Sequence, residues 1–326
     1  MPQAQPGGVV VRVHNVGVCA TDVHMITGRI ALAEPPHVLG HEIAGEVWEL
    51  GEGVTGWNQG DRVAIDTIVS CGRCPACKSG RRELCPHRQE IGYPPFSGGY
   101  AEFVAVPAQC LVALPDALSY REAAILESVA CPFGSVMRIG IPTGADVLVQ
   151  GGGPAGIAYI QSAKLRGAGR VIASVRGKER IEYAKQFGAD VVIDAEHENV
   201  LERVLEETDG RGCDVVMDAA GSRDSILLCF DACCPGGDVF FYGIPDASVE
   251  LPFPFMKLLT KQLRLHGVLE YCAGWDTLVK LTACGRMNVR DMVTHTFSLE
   301  ELPRAVELVK SKDRSLIKAV IQVLPD

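Results

Sequence analysis

Four cysteines lie close together in the segment CGRCPACKSGRRELC, namely Cys71, Cys74, Cys77 and Cys85. Thiolates separated by two residues can converge on one tetrahedral ion, because a tight turn around zinc needs about that spacing. The alternatives are unrelated thiols or a disulfide pair. Four close cysteines outside a small secreted protein more often bind metal. The spacing therefore predicts a zinc site in a short loop.

A second group of potential metal ligands is spread over three segments. Cys19 lies in GVCATDVH, His41 and Glu42 lie in VLGHEIAG, and Glu127 lies in AAILESVA. A thiolate, an imidazole and a carboxylate suit zinc and leave a position open for water or substrate. Each residue also has a structural explanation, as a small core residue, a turn histidine or a surface charge. The residues alone leave both interpretations open.

A glycine-rich motif follows the apolar run DVLVQ and opens a helix-like stretch. Gly151, Gly153 and Gly156 form GxGxxG, with Pro154 inside the motif. The first glycine permits a tight turn, the second admits a pyrophosphate against the backbone, and the third lets helix and strand pack closely. A lone motif of this kind is often only a glycine-rich turn. Because five more strand candidates follow it, we predict a dinucleotide-binding site.

The residues after the second strand of this region bear on the choice of cofactor. NAD-binding sites usually place Asp or Glu about 20 residues after the motif, where it binds the ribose hydroxyls. Here Val175 occupies that position, and Arg176 and Arg180 follow. Guanidinium groups can bind a 2′-phosphate bidentately, whereas a carboxylate would repel it. We therefore predict NADP(H) over NAD(H); the alternative is that these are solvated charges at a helix start.

The surrounding elements fall into two patterns. Residues 9–115 read as short strands broken by Gly and Pro. From Asp146 onward, apolar strands alternate with helices, which is typical of a parallel sheet covered on both faces. Residues 272–326 return to a mixed pattern. The chain is therefore expected to have an α/β fold with a β-rich domain and a doubly wound domain.

The composition limits the possible partners. The chain has 326 residues, is 47% hydrophobic, and carries a net charge of −9 with a pI near 5.4. An acidic surface argues against nucleic acid as a partner. No secretory signal or membrane-length apolar run is visible, so no membrane partner is expected. Thirteen cysteines, two of them adjacent, fit a reducing compartment, and we expect a cytoplasmic protein.

Taken in order, these motifs resemble the zinc-dependent medium-chain dehydrogenases of the alcohol dehydrogenase superfamily. The matching segments are GVCATDVH, GHEIAG, the four-cysteine lobe, GGYAEF and VLVQGGGPAGI. The resemblance implies a GroES-like β-rich catalytic domain, residues 1–128 and 272–326, with an inserted Rossmann doubly wound parallel sheet, residues 129–271. Glu127 and the tail are most similar to polyol (sorbitol), threonine and butanediol dehydrogenases. Relatives of the alcohol dehydrogenase type have a cysteine near this point, and Cys131 lies four residues late for it.

The same resemblance implies a role for each site residue. Cys19, His41 and Glu42 are expected to bind a catalytic zinc, with Glu127 bound directly or through water, and the two glutamates are expected to exchange. The four clustered cysteines would hold a structural zinc, which makes two Zn²⁺ per chain. Thr21 and His24 match the family's proton relay. The structural alternatives are a helix cap at Thr21 and an ordinary, partly buried histidine at position 24.

The implied reaction is hydride transfer between a secondary alcohol or polyol, or the matching ketone, and NADP(H). The expected partners are this small-molecule substrate and further copies of the chain, in a homodimer or homotetramer. Three other functions are open: a catalytically impaired protein that binds zinc and NADPH, an amino-alcohol dehydrogenase of the threonine type using NAD, and a zinc-free quinone or enoyl reductase. The last is disfavoured, because those relatives lack both sets of metal ligands.

Three features depart from the family pattern. Members usually begin earlier in the chain, so either the start is misassigned or the first domain lacks an edge strand; in the second case a less stable catalytic domain with an altered cleft rim is expected. Polyol dehydrogenases commonly have arginine before the tyrosine of the motif LEY, where this chain has Glu270 before Tyr271. That glutamate suggests a cationic or amino-bearing substrate. Ser128 replaces a proline that often follows the carboxylate, with no consequence that follows from the sequence.

Overall fold

The computed structural model describes residues 1–31, 33–245, 248–269 and 274–324. Within them the strands are β1 Gly8–Val18, β2 Glu42–Leu50, β3 Arg62–Ile65, β4 Ile68–Val69, β5 Gln89–Glu90, β6 Phe103–Pro107, β7 Leu111–Ala113, β8 Asp146–Gln150, β9 Arg170–Val175, β10 Val191–Asp194, β11 Cys213–Asp218, β12 Cys233–Phe241, β13 Arg264–Gly267, β14 Val293–Ser298 and β15 Lys318–Gln322.

The α-helices of the same residues are α1 Ala20–Ile26, α2 Pro75–Lys78, α3 Tyr120–Ala124, α4 Leu126–Ile139, α5 Pro154–Leu165, α6 Lys178–Gln186, α7 Val200–Glu207, α8 Arg223–Ala232, α9 Phe255–Lys261, α10 Trp275–Ala283 and α11 Leu302–Lys310. Short 3₁₀ helices cover Arg82–Leu84, Ala108–Cys110, Arg290–Met292 and Leu299–Glu301. Of the helices described, α4 is the longest with 14 residues, and none is long and apolar enough to cross a bilayer.

The chain divides into two compact units. Unit 1 comprises Met1–Ala130 and Gly274–Asp326, and unit 2 comprises Cys131–Ala273. Unit 2 is thus an insertion in the sequence of unit 1. The domain limits drawn from the sequence, 1–128 with 272–326 and 129–271, stay a prediction.

Unit 1 is built on a seven-stranded sheet. Its strand order is β14-β15-β1-β2-β3-β7, and β6 also pairs with β1. All these pairings are antiparallel except that of β14 with β15. Strands β4 and β5 pair antiparallel in a separate two-stranded sheet. In the sequence, β4 precedes the four-cysteine lobe and β5 follows it. Unit 1 therefore corresponds to the expected β-rich, GroES-like domain.

Strand β1 is central to this sheet, and the regular alternation of its side chains between the two faces of the sheet is interrupted along its length. Val9, Val11 and Val13 enter one hydrophobic core, and so do Val16 and Val18, although alternation alone would put the last two on the other face. A register shift of the β1–β2 ladder between Val13 and Asn15 explains the change. Such a bulge inserts one extra residue and re-aims the side chains that follow. As a result, Gly17 lies on the face opposite this core.

Unit 2 contains a six-stranded, wholly parallel sheet with strand order β10-β9-β8-β11-β12-β13. The chain winds outward from β8 in both directions, which is the doubly wound Rossmann arrangement. Its inner strands β8, β9 and β11 are short runs of mainly buried residues, as the sequence predicts for a sheet covered on both faces, whereas the outer strands β10 and β13 are mainly half-buried or exposed. The predicted fold class, a GroES-like domain with an inserted Rossmann sheet, is confirmed.

Candidate active site

Three of the predicted metal ligands converge in unit 1. Cys19 follows β1 and forms the N-cap of α1, while His41 and Glu42 stand at the start of β2. Because β1 and β2 are antiparallel and Gly17 is paired with Glu42, the end of one strand meets the beginning of the other. One ligand atom from each of Cys19, His41 and Glu42 lies within 4.8 Å of those of the other two.

Asp22 holds this group in place. Its carboxylate is fully buried and accepts hydrogen bonds from the backbone N–H groups of Cys19 and Gly40 (3.2 and 3.3 Å) and from the Tyr100 hydroxyl (2.8 Å). His41 Nδ1 lies 3.2 Å from the same carboxylate, which leaves Nε2 as the nitrogen for a metal. The sequence analysis did not single out Asp22, although it stands in the same segment as Cys19.

Asp22 and His41 each stabilise the charged form of the other. Burial alone would raise the pKa of Asp22, but the His41 charge and several hydrogen bonds outweigh it and lower that pKa. Burial would likewise lower the pKa of His41, and the Asp22 charge raises it well above its usual value. A carboxylate behind a metal-binding histidine fixes its orientation and makes it a better donor.

Glu42 is paired with a lysine that the sequence analysis also missed. Lys318 on β15 contacts Glu42 Oε1, and the two side chains are 4% and 0% exposed. Burial acts to lower the pKa of Lys318, but the Glu42 charge outweighs it and raises that pKa. The other carboxylate oxygen, Oε2, is buried and has no hydrogen-bond partner. A lone lysine in the apolar run IKAVI was the available signal, since a buried charge needs a partner.

Glu127 lies near these residues at the start of α4 but outside the set of mutually close ligand atoms. It accepts a long hydrogen bond of 3.5 Å from the Thr67 hydroxyl. Burial raises the pKa of Glu127 to about 7, the His41 charge opposes that rise, and the Glu42 charge adds to it. The carboxylate is therefore within the electrostatic reach of the site. Its direct ligation of a metal stays a prediction.

The two predicted proton-relay residues lie on α1. The Thr21 hydroxyl is 3.5 Å from Cys19 Sγ. The helix begins at Ala20 with Cys19 as its N-cap, so Thr21 lies in the first turn and is not the cap. His24 is one turn further on and half-buried. Partial burial lowers the pKa of His24, and the nearby charges of Arg29 and Lys312 lower it further.

The residues present fit a zinc ion. Sulfur, nitrogen and oxygen donors of the kind zinc accepts lie together, His41 keeps one nitrogen for a metal, and Glu42 Oε2 is a buried acceptor without a partner. A cation would satisfy this oxygen and balance the charge of a Cys19 thiolate. Cys19, His41 and Glu42 are therefore the residues that would hold the ion.

The four-cysteine lobe also has the geometry of a metal site. The thiols of Cys71, Cys74, Cys77 and Cys85 lie within 4.8 Å of one another, and two of the Sγ–Sγ distances are 3.4 and 4.0 Å. Sulfur atoms bound tetrahedrally to one zinc at about 2.3 Å would be about 3.8 Å apart. Backbone N–H groups of Arg73 and Cys74 lower the pKa of Cys71 to about 6, so one thiolate forms readily.

The glycine motif of unit 2 forms a loop between β8 and α5. Gly151 has φ +108°, which favours glycine, and a Cβ at Gly156 would overlap the carbonyl oxygen of Gly151. Gly153 is the N-cap of α5 and faces open space, with no atom within 4 Å of a Cβ placed there. Pro154 then begins the helix. The loop therefore offers a pyrophosphate an uncovered helix N-terminus, and the residues fit a dinucleotide.

The basic residues after β9 have different surroundings. Val175 is buried and ends the strand. Arg180 donates from Nη1 to the carbonyl oxygen of Gly152 at 2.9 Å, so it is tied to the glycine loop. Arg176 is exposed. Val175 and Arg180 thus lie against Gly152 of the loop, and Arg176, which follows Val175 in the chain, is exposed.

Glu270 and Tyr271, on which the amino-bearing substrate was suggested, lie outside the described residues.

Comparison with known proteins gives two family matches. The model of the family described as "Alcohol dehydrogenase GroES-like domain" matches residues 5–116, and that of "Zinc-binding dehydrogenase" matches residues 154–283. The first match lies in unit 1 and contains both sets of predicted metal ligands except Glu127. The second lies mainly in unit 2 and begins at Pro154, within the glycine motif.

Several curated proteins are similar over almost the whole chain. The chain is 35% identical to sorbitol dehydrogenase of Halalkalibacterium halodurans, covering 95% of this chain and 91% of that protein. It is 31% identical to sorbitol dehydrogenase of Bacillus subtilis, covering 98% and 92%. L-threonine 3-dehydrogenase of Pyrococcus horikoshii is 32% identical, with 95% and 90% covered.

Solved structures of dehydrogenases are also similar to this chain over almost its whole length. Alcohol dehydrogenase TADH from Thermus sp. ATN1 superposes with a TM-score of 0.92 at 33% identity, covering 99% of this chain and 94% of that one. A zinc-binding dehydrogenase from Sinorhizobium meliloti 1021, solved with bound NADP, gives a TM-score of 0.91 at 30% identity with the same coverage.

Proposed function

The chain belongs to the zinc-dependent alcohol and polyol dehydrogenase family, and from that premise we propose that it transfers a hydride between a secondary alcohol or polyol, or the matching ketone, and NADP(H). The observation that carries this proposal is the convergence of Cys19, His41 and Glu42 at the meeting point of β1 and β2. A thiolate, an imidazole and a carboxylate form a ligand set that leaves room for a substrate oxygen.

The chain's residues prepare the site for the two groups that do the chemistry. When bound, zinc acidifies a substrate hydroxyl or polarises a carbonyl, and the nicotinamide accepts or donates the hydride. Cys19 and His41 supply the sulfur and nitrogen donors, and Asp22 orients the imidazole through its 3.2 Å contact. Glu42 and Glu127 supply carboxylates that can complete the set. The four clustered cysteines hold a second, structural zinc in this proposal.

The proton leaves along α1. The Thr21 hydroxyl, 3.5 Å from Cys19 Sγ, accepts the proton of the substrate hydroxyl and gives up its own towards His24. Burial and the Arg29 and Lys312 charges lower the pKa of His24 and so favour its neutral form, and a neutral imidazole has a free nitrogen that can accept a proton. It passes the proton to solvent, since its side chain is half-buried.

The preference for NADP(H) rests on Arg176. The residue is exposed and directly follows β9, whose last residue Val175 lies against Gly152 of the glycine loop and is not a carboxylate. A guanidinium binds a phosphate bidentately, whereas a carboxylate at this point would exclude it. The NADP-bound relative from Sinorhizobium meliloti supports the proposal.

The proposed function is tested by initial rates of NADP⁺ and NAD⁺ reduction. The panel contains sugar alcohols, vicinal diols, simple secondary alcohols and L-threonine, each with and without a zinc chelator. We expect turnover that favours NADP⁺ and a secondary alcohol or polyol and that the chelator abolishes. No turnover with any substrate, from protein shown to carry two zinc ions per chain, would contradict the proposal.

A second candidate substrate class is the amino alcohols. The similarity to L-threonine 3-dehydrogenase of Pyrococcus horikoshii is about as high as that to the sorbitol dehydrogenases. Turnover of L-threonine with NAD⁺ that exceeds that of every polyol would decide for this alternative. The zinc chemistry and the proton path would be the same in both cases.

The cofactor preference has its own test. Replacing Arg176 by alanine should raise KM for NADP⁺ at least about tenfold, since a charge-assisted bidentate contact contributes on the order of 1.5–3 kcal/mol. KM for NAD⁺ should change little, because NAD⁺ lacks the 2′-phosphate. The matched control is Arg286→Ala, which removes an exposed arginine in unit 1. Equal effects of Arg176→Ala on both cofactors would contradict the proposal.

We also propose a homo-oligomer joined through unit 2. Strand β13 is at one end of the parallel sheet, and the segment before it exposes large apolar side chains. Phe253, Phe255, Met256 and Leu259 are 57%, 56%, 66% and 52% exposed. A cluster of this kind beside an open sheet edge is typical of a protein–protein interface.

A further inference from the structure

Two buried residues, Asp66 and Thr67, connect β3 to β4 just before the four-cysteine lobe. We call them the connector. Asp66 Oδ1 accepts a hydrogen bond of 3.2 Å from the backbone N–H of Ile68, and the carbonyl oxygen of Thr67 accepts one of 3.0 Å from the N–H of Ile91. The backbone on both sides thus fixes the connector.

The lobe contacts the connector through Arg82. This residue begins a 3₁₀ helix whose C-cap is Cys85, and the Cys85 N–H donates to the Arg82 carbonyl oxygen at 3.0 Å. Arg82 Nη2 contacts Asp66 Oδ2. Burial raises the pKa of Asp66, and the Arg82 charge opposes that rise, so the guanidinium favours the ionised carboxylate. The position of a lobe cysteine is therefore tied to the partner of a buried charge.

The other residue of the connector contacts the candidate active site. The Thr67 hydroxyl donates to Glu127 Oε1 at 3.5 Å. Asp66 also acts on this carboxylate, because burial raises the pKa of Glu127 to about 7 and the Asp66 charge adds to that rise. Since Asp66 and Thr67 are consecutive, a displacement of one changes the position of the other. The connector therefore joins Arg82 of the lobe to Glu127.

We propose that Arg82 and the connector couple the two metal sites, so that a lobe loaded with zinc holds Glu127 where it serves the candidate active site. This inference rests on the proposed function and adds Arg82, Asp66 and Thr67 to it as positioning residues. The coupling of two binding equilibria is reciprocal, so occupancy of the active site raises the affinity of the lobe for zinc by the same factor.

The coupling is measured as the change in zinc affinity at one site when the other is disabled. Cys85→Ser disables the lobe and should lower the zinc affinity of the active site about tenfold, the scale on which groups that support metal ligands act. Cys19→Ser disables the active site and should lower the affinity of the lobe by the same factor. Competition with a chelator measures both affinities, and the absorption spectrum of cobalt shows whether the remaining site has changed.

A double variant removes the link but keeps both ligand sets. Arg82→Met combined with Asp66→Asn abolishes the ion pair without leaving a buried charge unpaired. In this background Cys85→Ser should no longer change the zinc affinity or the cobalt spectrum of the active site. The matched control is Lys78→Met, at the exposed lysine that ends α2 in the same lobe, and it should leave the coupling intact.

Equal loss of active-site affinity on Cys85→Ser with and without the double variant would overturn the proposal, because the lobe would then act through the fold alone. An active site that does not respond to Cys85→Ser at all would also overturn it. Should the double variant fail to fold, Thr67→Val takes its place, since it removes the hydroxyl that contacts Glu127. A Cys19→Ser protein with undiminished zinc content would instead contradict the proposed function, because no metal would then depend on Cys19.

Discussion

At the scale of single residues, Asp22 accounts for the geometry of the candidate active site. It accepts bonds from the backbone at both ligand segments and contacts the imidazole of His41. It thereby joins the start of α1 to the start of β2. A carboxylate in this place would act on a bound metal through the histidine.

Replacing Asp22 by asparagine should lower zinc affinity about 10–100-fold, because loss of the group behind a metal-binding histidine has effects of that size. The measurement is the zinc retained after dialysis against a graded series of chelator concentrations. Asp276→Asn, at an exposed acid of α10, is the control. Equal retention by the Asp22→Asn and wild-type proteins would show that the backbone alone fixes His41.

The sequence predicted donors for both candidate metal sites but not the residues that support them. Cysteines at fixed spacing are recognisable because few other roles require that pattern. Asp22 and Lys318 were missed because each is an ordinary residue type whose importance comes from a partner far along the chain. The Lys318–Glu42 contact joins residues 276 positions apart, and no local pattern reports such a pair.

At the scale of elements, Lys261 fixes the end of α8. Its ammonium group at the end of α9 donates to the carbonyl oxygens of Phe230, Asp231 and Cys233 at 3.0, 2.9 and 2.8 Å. The last carbonyls of a helix have no partner within it, so an external donor stabilises them. Here one side chain serves three acceptors.

Replacing Lys261 by methionine should lower the free energy of unfolding by about 2–3 kcal/mol, since hydrogen bonds to a charged group contribute about 1.5–3 kcal/mol. Chemical denaturation measures the change. The control on the same helix is Lys257→Met, which breaks an exposed ion pair with Asp231 and should cost less than about 1 kcal/mol. Similar losses for the two variants would contradict a special role for Lys261.

Strands β12 and β13 are joined by a charge cluster that should make stability depend on pH. Burial acts to raise the pKa of Asp238, but its hydrogen bonds with Arg264 and His266 outweigh it and lower that pKa. Arg264 Nη2 lies 2.5 Å from Asp238 Oδ2, and His266 Nε2 lies 2.8 Å from Asp238 Oδ1. The folded protein therefore favours the ionised form of Asp238 more than the unfolded chain does.

The resulting stabilisation should be complete above the unfolded pKa of about 3.9 and should be lost as pH falls through the lower, folded value. The measured quantity is the difference in unfolding free energy between the wild-type protein and Asp238→Asn. It should be constant from about pH 5 to 7 and shrink below about pH 4. A difference that does not change over this range would contradict the assignment.

Elements were predicted well where the pattern was regular and less well where tertiary contacts set their limits. Strand β12 begins at Cys233, five residues before the apolar run that starts at Asp238, because it pairs with β11 from Cys213 onward. The bulge in β1 was not predicted, since a run of valines gives no sign of a change of face. Its consequence, Gly17 opposite Glu42, is likewise invisible in the sequence.

At the scale of the whole molecule, the apolar segment of unit 2 suggests how copies of the chain associate. Phe255 and Met256 begin α9 and are more than half exposed. Replacing both by glutamate should convert the proposed oligomer to monomers at micromolar concentration, because charges would be buried in the interface. Sedimentation velocity measures the change.

Ile26→Glu in unit 1, at a side chain that is 52% exposed, is the matched control and should leave the oligomer intact. A wild-type protein that sediments as a monomer would contradict the proposed assembly. Unchanged zinc content in the double variant would show that the fold of the sites has survived.

The pairing of Glu42 with Lys318 has a consequence for biosynthesis. The ribosome adds about 5–20 residues per second, so the lysine follows the glutamate by about 14–55 s. Throughout that interval the nascent chain already contains Cys19, His41 and Glu42 but lacks Lys318, the partner of the Glu42 carboxylate. Zinc that arrives early meets a more negative and incompletely folded set of ligands than zinc that arrives after release. A metal bound before Lys318 is made would therefore meet a different charge around Glu42 from a metal bound to the finished chain.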